Sequence, residues 1–220
     1  MSNGWYFVAG LLLAAWFAPS VFDRASAGFA ASPMANSEGG VLTGTVRLTT
    51  GAKKDENTVV YLEGVTGAYG APEQPAVLDQ NHETFVPHLV PAQKGQTVKF
   101  TNSEPVSHNV HVFKGARTLV NVVHFKGQDH DWIPPRAGEY EVRCNIHREM
   151  SAFLLIFENP FFATVRQEGT SPSPFKIEGI PEGAYTVVAV RDIKGTLTRQ
   201  EQKVTIKPKQ TTTVSLTIPD

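Results

Sequence analysis

Alternation of apolar and polar residues at period two runs through most of this chain. Val41-Leu42-Thr43-Gly44-Thr45-Val46-Arg47-Leu48 shows it first, and Thr58-Val59-Val60-Tyr61-Leu62 follows after a polar, turn-like stretch from Gly51 to Asn57. A strand sends successive side chains to opposite faces, so the two runs predict half-buried strands and a candidate hairpin over residues 41–66. Residues 65–75 are rich in Gly and Pro and read as a linker. Short apolar runs then recur at Thr84-Phe85-Val86, His88-Leu89-Val90, Thr97-Val98-Lys99-Phe100, Val110-His111-Val112-Phe113, Val122-Val123-His124-Phe125, Tyr140-Glu141-Val142 and Phe153-Leu154-Leu155-Ile156-Phe157. Short strands at this spacing predict a two-sheet sandwich. Asn159-Pro160 closes that stretch. Two more alternating runs, Lys203-Val204-Thr205-Ile206 and Thr213-Val214-Ser215-Leu216-Thr217-Ile218, flank a turn at Pro208-Lys209-Gln210. No segment holds a helical period over three turns, so the expected class is all-β.

The beginning of the chain breaks the pattern. Residues 1–22 carry no charged side chain, and Trp5 to Ala18 is apolar throughout apart from Gly10. Pro19 and Ser20 interrupt the run, and Ala25-Ser26-Ala27 offers the small residues of a cleavage site. Residues 1–27 therefore read as a secretory signal peptide, with a polar, flexible lead-in over 28–40. The rival reading is an uncleaved anchor tethering the chain through residues 1–22, since a run of this length approaches the ~20 residues that span a bilayer. Both place the remainder outside a membrane, in the periplasm or another extracytoplasmic space.

Composition narrows the function. With 220 residues, 41% of them hydrophobic, and a net charge of −1, the chain has material for one or two cores and no basic excess for nucleic acid. It contains one cysteine, Cys144, so an exported form has no internal disulfide. A metal-bound thiolate explains why such a thiol is present.

The residues around that cysteine supply the chemistry. Cys144 is followed by His147 and Met150, three residues apart each, and His108 stands upstream at the end of an expected strand and turn. One thiolate, two imidazoles and a thioether make the His₂Cys set with a weak axial Met of a blue copper centre. Each residue alone has a plainer reading: a buried cysteine, a core methionine, a turn histidine. The four together point to copper. His82, His88, His111, His124 and His130 read as structural or surface residues, and Asp129-His130-Asp131 reads as a solvated loop.

Residues 76–158 resemble the cupredoxins, the small blue copper proteins of the amicyanin and plastocyanin type. The resemblance rests on Phe85-Val86-Pro87, Gly95-Gln96-Thr97-Val98-Lys99-Phe100-Thr101-Asn102, His108-Asn109-Val110, Gly138-Glu139-Tyr140 and the short loop Cys144-x₂-His147-x₂-Met150. It implies a Greek-key β-sandwich holding one type 1 copper on His108, Cys144, His147 and Met150. It also implies that Asn109, behind the ligands, ties the two ligand loops together, and that the edge of His147 is the electron's exit. Many relatives have proline and a bulky apolar residue where this chain has Arg148 and Glu149, which alters the usual apolar docking patch.

A second resemblance covers residues 160–220. Phe175-x-Ile177-x-Gly179-Ile180-Pro181-x-Gly183-x-Tyr185 is similar to the carboxypeptidase regulatory-like, transthyretin-like sandwich domain. Such domains open with strands of the Gly44-Thr45-Val46 and Val59-Val60-Tyr61-Leu62 kind, which stand here before the cupredoxin-like part. The 41–66 hairpin is therefore a candidate part of this second, smaller sandwich, with the cupredoxin inserted in it; tandem order is the alternative.

The expected function is a mononuclear type 1 copper protein that carries single electrons between redox protein partners. The chain has no His-x-His pair for additional coppers and only one cysteine, so catalysis is not expected. Closed structural zinc sites favour Cys and His over Met, which argues against zinc. The competing readings are copper storage, delivery or sensing outside the membrane, and an assembly module in which the metal is secondary.

Overall fold

The computed structural model describes Met1 and residues 38–50, 57–167 and 169–219. All of these except Met1 belong to one compact unit, Ala31–Asp220. The expected signal peptide or anchor, and most of the lead-in, fall outside the described residues. Among the described residues there is no helix, and none long and apolar enough to cross a membrane.

Strands β1 (Gly40–Leu48) and β2 (Asn57–Glu63) come first. Then follow β3 (Ala76–Asn81), β4 (Thr84–Val86), β5 (Leu89–Gln93), β6 (Val98–Asn102), β7 (His108–Lys114), β8 (Arg117–His124), β9 (His130–Trp132), β10 (Gly138–Arg143) and β11 (Ser151–Phe157). The chain finishes with β12 (Phe162–Arg166), β13 (Ser173–Ile180), β14 (Gly183–Ile193), β15 (Thr196–Ile206) and β16 (Thr211–Ile218). They build four sheets, ordered β13-β1-β16, β12-β2-β14-β15, β4-β3-β6-β9 and β5-β11-β10-β7-β8.

The first two sheets form an outer sandwich from both ends of the chain. Leu42, Val46 and Leu48 of β1, Val60 and Leu62 of β2, Ile177 and Ile180 of β13, and Leu216 and Ile218 of β16 share its apolar core. The expected hairpin over 41–66 is not formed. β1 pairs with β13 and β16, and β2 pairs with β12 and β14, so the two lie in different sheets. Alternation reveals which face of a strand is buried but not which strand lies beside it, and here both edges of β1 are taken by late strands.

β3 to β11 form the inner sandwich, with nine strands where the apolar runs suggested seven. Its core contains Leu78, Phe85, Val98, Phe100, Val110, Val112, Tyr140, Val142, Leu154 and Ile156. β9 falls where a solvated loop was expected. It pairs antiparallel with β6, Phe100 opposite His130 and Val98 opposite Trp132, while Lys99 outside meets Asp129 and Asp131. Three residues between charges carry too little apolar pattern to signal a strand, and pairing alone makes it one. Pro91 sits in β5, an edge strand, where a missing N–H is tolerated.

The two sandwiches share an apolar seam. Val59 (β2), Leu89 (β5), Leu155 (β11) and Val190 (β14) pack together, with Tyr61, Phe153, Phe157 and Leu197 against them. This is why Phe153–Phe157 is apolar without alternation: Leu154 and Ile156 face the inner core while Leu155 faces the seam. Strands covered on both faces read as continuous apolar runs. Polar contacts fix the seam's register. Asn57 donates through Nδ2 to the Leu89 carbonyl (2.8 Å) and accepts the Leu89 N–H at Oδ1 (2.9 Å). His88 Nε2 meets Asp192 Oδ2 at 2.6 Å, and Arg199 pairs with Glu139.

Candidate metal centre

One end of the inner sandwich gathers the chemistry. β10 stops at Arg143 and β11 begins at Ser151, leaving residues 144–150 as the connecting loop. Two main-chain bonds shape it: Cys144 N–H donates to Met150 O (3.2 Å), and Met150 N–H donates to His147 O (3.1 Å). The strands therefore deliver Cys144 and Met150 side by side while His147 rides on the turn. β7, adjacent to β10, begins with His108 and brings that side chain to the same end.

The ligand atoms of His108, Cys144 and His147 all lie within 4.8 Å of one another. His108 Nδ1 is 3.0 Å from His147 Nδ1, and Cys144 Sγ is 3.8 Å from the same nitrogen. Nitrogens that bind one ion at about 2.0–2.1 Å stand no farther apart than roughly twice that length, so the 3.0 Å spacing suits a shared ion. His108, Cys144 and Met150 are 0%, 3% and 1% exposed, whereas His147 is only partly buried and reaches the surface. Met150 belongs to the inner core beside Cys144. A soft thiolate with two imidazoles and an adjacent thioether fits copper by donor type.

Around these residues lies a hydrogen-bonded frame. The main-chain N–H groups of Asn109 and His147 donate to Cys144 Sγ at 3.3 and 3.4 Å, setting positive partial charge against the sulfur. Asn109 Oδ1 accepts the Asn145 N–H (3.3 Å), and its Nδ2 donates to Asn121 Oδ1 (2.8 Å) and Val122 O (3.0 Å). One side chain thereby ties the ligand loop, β7 and β8 together. Outer groups of this kind orient ligands and tune a metal.

Glu104 is the member of this frame that sequence reasoning missed. Its Oε1 lies 2.7 Å from His108 Nε2, which fixes the imidazole proton there and leaves Nδ1 free to face Cys144 and His147. Burial opposes ionisation of Glu104. The Glu83 N–H, the His108 ring and the His82 N–H together outweigh it and hold the carboxyl below its ordinary range. Its only signal in the sequence is a carboxylate four residues before a histidine.

The other histidines scatter. His82 is exposed, His88 is held by Asp192, and His111 points away from the cluster, with Asn145 Oδ1 on Nδ1 and Thr118 Oγ1 on Nε2. His124 and His130 face the sandwich interior. Around the loop rim, Ile146, Arg148 and Glu149 are exposed, so the surface beside His147 mixes apolar and charged groups.

No family model matches the chain, and no curated protein matches it. Solved structures do. A copper-containing nitrite reductase from Thermus scotoductus SA-01 is 22% identical over 43% of this chain, with a TM-score of 0.37. The match spans a quarter (25%) of that reductase. Amicyanin from Paracoccus versutus is 22% identical over 44% of this chain and 96% of its own, with a TM-score of 0.36. The reduced, Cu(I) form of an amicyanin variant gives 22% identity, 44% and 97% coverage and the same TM-score of 0.36. The exclusion of catalysis drawn from the sequence is withdrawn, because a copper enzyme stands among these structures. The fold class is all-β, two sandwiches built from four sheets.

Proposed function

We propose that this chain is an exported type 1 copper protein that passes single electrons between redox protein partners, with one copper held by His108, Cys144, His147 and Met150. The observation that carries the reading is the convergence of His108, Cys144 and His147 within 4.8 Å at the end of a sandwich core. Copper bound there would supply a one-electron Cu(I)/Cu(II) couple, and the Met150 sulfur would bear on its potential. The chain's own residues do the rest. Glu104 orients His108, Asn109 clamps the loop against β7, and the apolar core under Met150 keeps water from the sulfur side. His147, partly exposed where His108 is buried, is the route by which an electron leaves towards a partner. In this reading the outer sandwich is a carboxypeptidase regulatory-like domain that carries the cupredoxin between its second and third strands.

The test is a visible spectrum of the purified chain titrated with Cu(II) and then reduced. An intense band at one copper per chain, bleached and restored reversibly, is expected. Tight copper binding without the band would overturn the electron-transfer reading in favour of copper handling. The exposed pair Arg148 and Glu149 beside His147 is the observation that favours that second reading.

A further inference from the structure

A second group of polar side chains occupies the seam between the edge strands β8 and β9. On β8, Val120, Val122 and His124 stand opposite Val112, Val110 and His108, so all three face the core. On β9, His130 stands opposite Phe100, which is fully buried, and directly opposed residues of an antiparallel pair share a face. His124 and His130 thus look inward from opposite sheets, their ring centroids 6.2 Å apart. With metal–imidazole bonds of about 2.0–2.1 Å, two rings sharing one ion have centroids roughly 6.4 Å apart when the ion lies in line between them, so a spacing of 6.2 Å fits a nearly linear ion and not a tetrahedral one.

His124 is 3% exposed, yet among the described residues its Nε2 has no hydrogen-bond partner, and neither has Oε1 of the fully buried Gln80. The two residues touch: Gln80 Nε2 lies 3.1 Å from His124 Nδ1 and also donates to Thr101 O at 2.8 Å. Buried polar atoms left unpaired are uncommon and point to something that satisfies them. Burial, with the charge of His130 beside it, holds His124 below the ordinary histidine range, which suits a neutral ligand ring.

We infer that His124 and His130 form a second metal site in this seam, taking an imidazole-preferring ion that accepts near-linear coordination, Cu(I). It lies beside the cysteine-based cluster, His124 standing opposite His108, and shares no ligand with it. His124 binds through Nε2, so its ring proton moves to Nδ1. Turning the Gln80 amide brings the unpartnered Oε1 to receive that proton, at the expense of the Gln80–Thr101 bond. A ligating imidazole that donates its other N–H to a carbonyl oxygen is the usual outer arrangement. Asp129, next to His130, is already engaged with Lys99, which leaves the two imidazoles as the proposed ligands.

The experiment uses the full chain carrying Cys144→Ser, with and without His130→Gln, titrated anaerobically with Cu(I) by calorimetry and followed by ¹⁵N spectra of the imidazoles. His130 is only partly buried, so its replacement spares the core. As Cu(I) binds, the Cys144→Ser chain is expected to show shifts at His124 and His130. His130→Gln should weaken that binding by more than the roughly 10–100-fold that loss of an outer partner costs. Binding unaffected by His130→Gln, or shifts confined to His108 and His147, would overturn the seam site. The blue band of the unmodified chain reads the first site independently.

Discussion

The two sandwiches differ in where they bury polar side chains. The outer one fills its core with Leu, Val and Ile, and its buried polar residues Asn57, Thr58, Gln167 and Arg191 lie on or beside the sheet that meets its neighbour. The inner one has an apolar body of similar make, but one end is lined by Gln80, Asn102, His108, Asn109 and His124. Buried polar groups cost stability unless they are paired, so a layer of them needs a reason. In the proposed function, ligand positioning is that reason at His108 and Asn109, where nearly every polar atom is bonded. On that reading the outer sandwich supplies packing and the inner one chemistry.

Cys144→Ser is the largest test of that division. It should abolish the intense visible absorption while leaving the fold, as read by circular dichroism; a retained band would remove Cys144 from the ligand set. Paired truncations in the two cores come next. Leu154→Ala and Leu216→Ala should each cost about 2–5 kcal/mol by chemical denaturation. Only Leu154→Ala, in the core that holds Cys144 and Met150, should disturb the absorption band. A band lost equally in both variants would mean that the sandwiches do not act separately.

The seam is probed more gently. Asn57→Ala removes both bonds to Leu89 and should cost about 1–3 kcal/mol, because it strands a buried N–H and carbonyl. Arg199→Ala breaks a half-exposed pair with Glu139 and should change stability by less than about 1 kcal/mol, an effect that fades in salt. An alkaline titration is the smallest probe. Burial, and then the charge of Glu63, push the Tyr61 phenol up to about 12 from 10.0. A raised folded value favours the protonated form in the native state, so the contribution is complete below pH 10 and declines as pH rises through about 12. Phenolate absorbance appearing near pH 10 for every tyrosine would contradict a closed seam around Tyr61.

Much of the fold was legible as pattern. Alternation in Val41–Leu48 and Thr213–Ile218 marked strands with one buried face, and the apolar run Phe153–Phe157 marked another strand. The spacing of Cys144, His147 and Met150 named a chemistry, because side-chain donor types are written directly in the sequence. Glu104 and β9 were not legible. A carboxylate four residues from a histidine and a three-residue strand with an aspartate at its centre are both unremarkable until a neighbour takes them up.

By itself, then, the sequence determined the strand class and the buried faces, and it offered the candidate donors. Those properties are local, set by the side chain and the period of the backbone. The tertiary structure decided that β1 pairs with β13 and β16 rather than β2, that His147 reaches the surface while His108 does not, and that His124 and His130 face each other across a seam. Each of these depends on which distant strands become neighbours, and pairing is settled by the summed packing of whole sheets rather than by any one segment's preference.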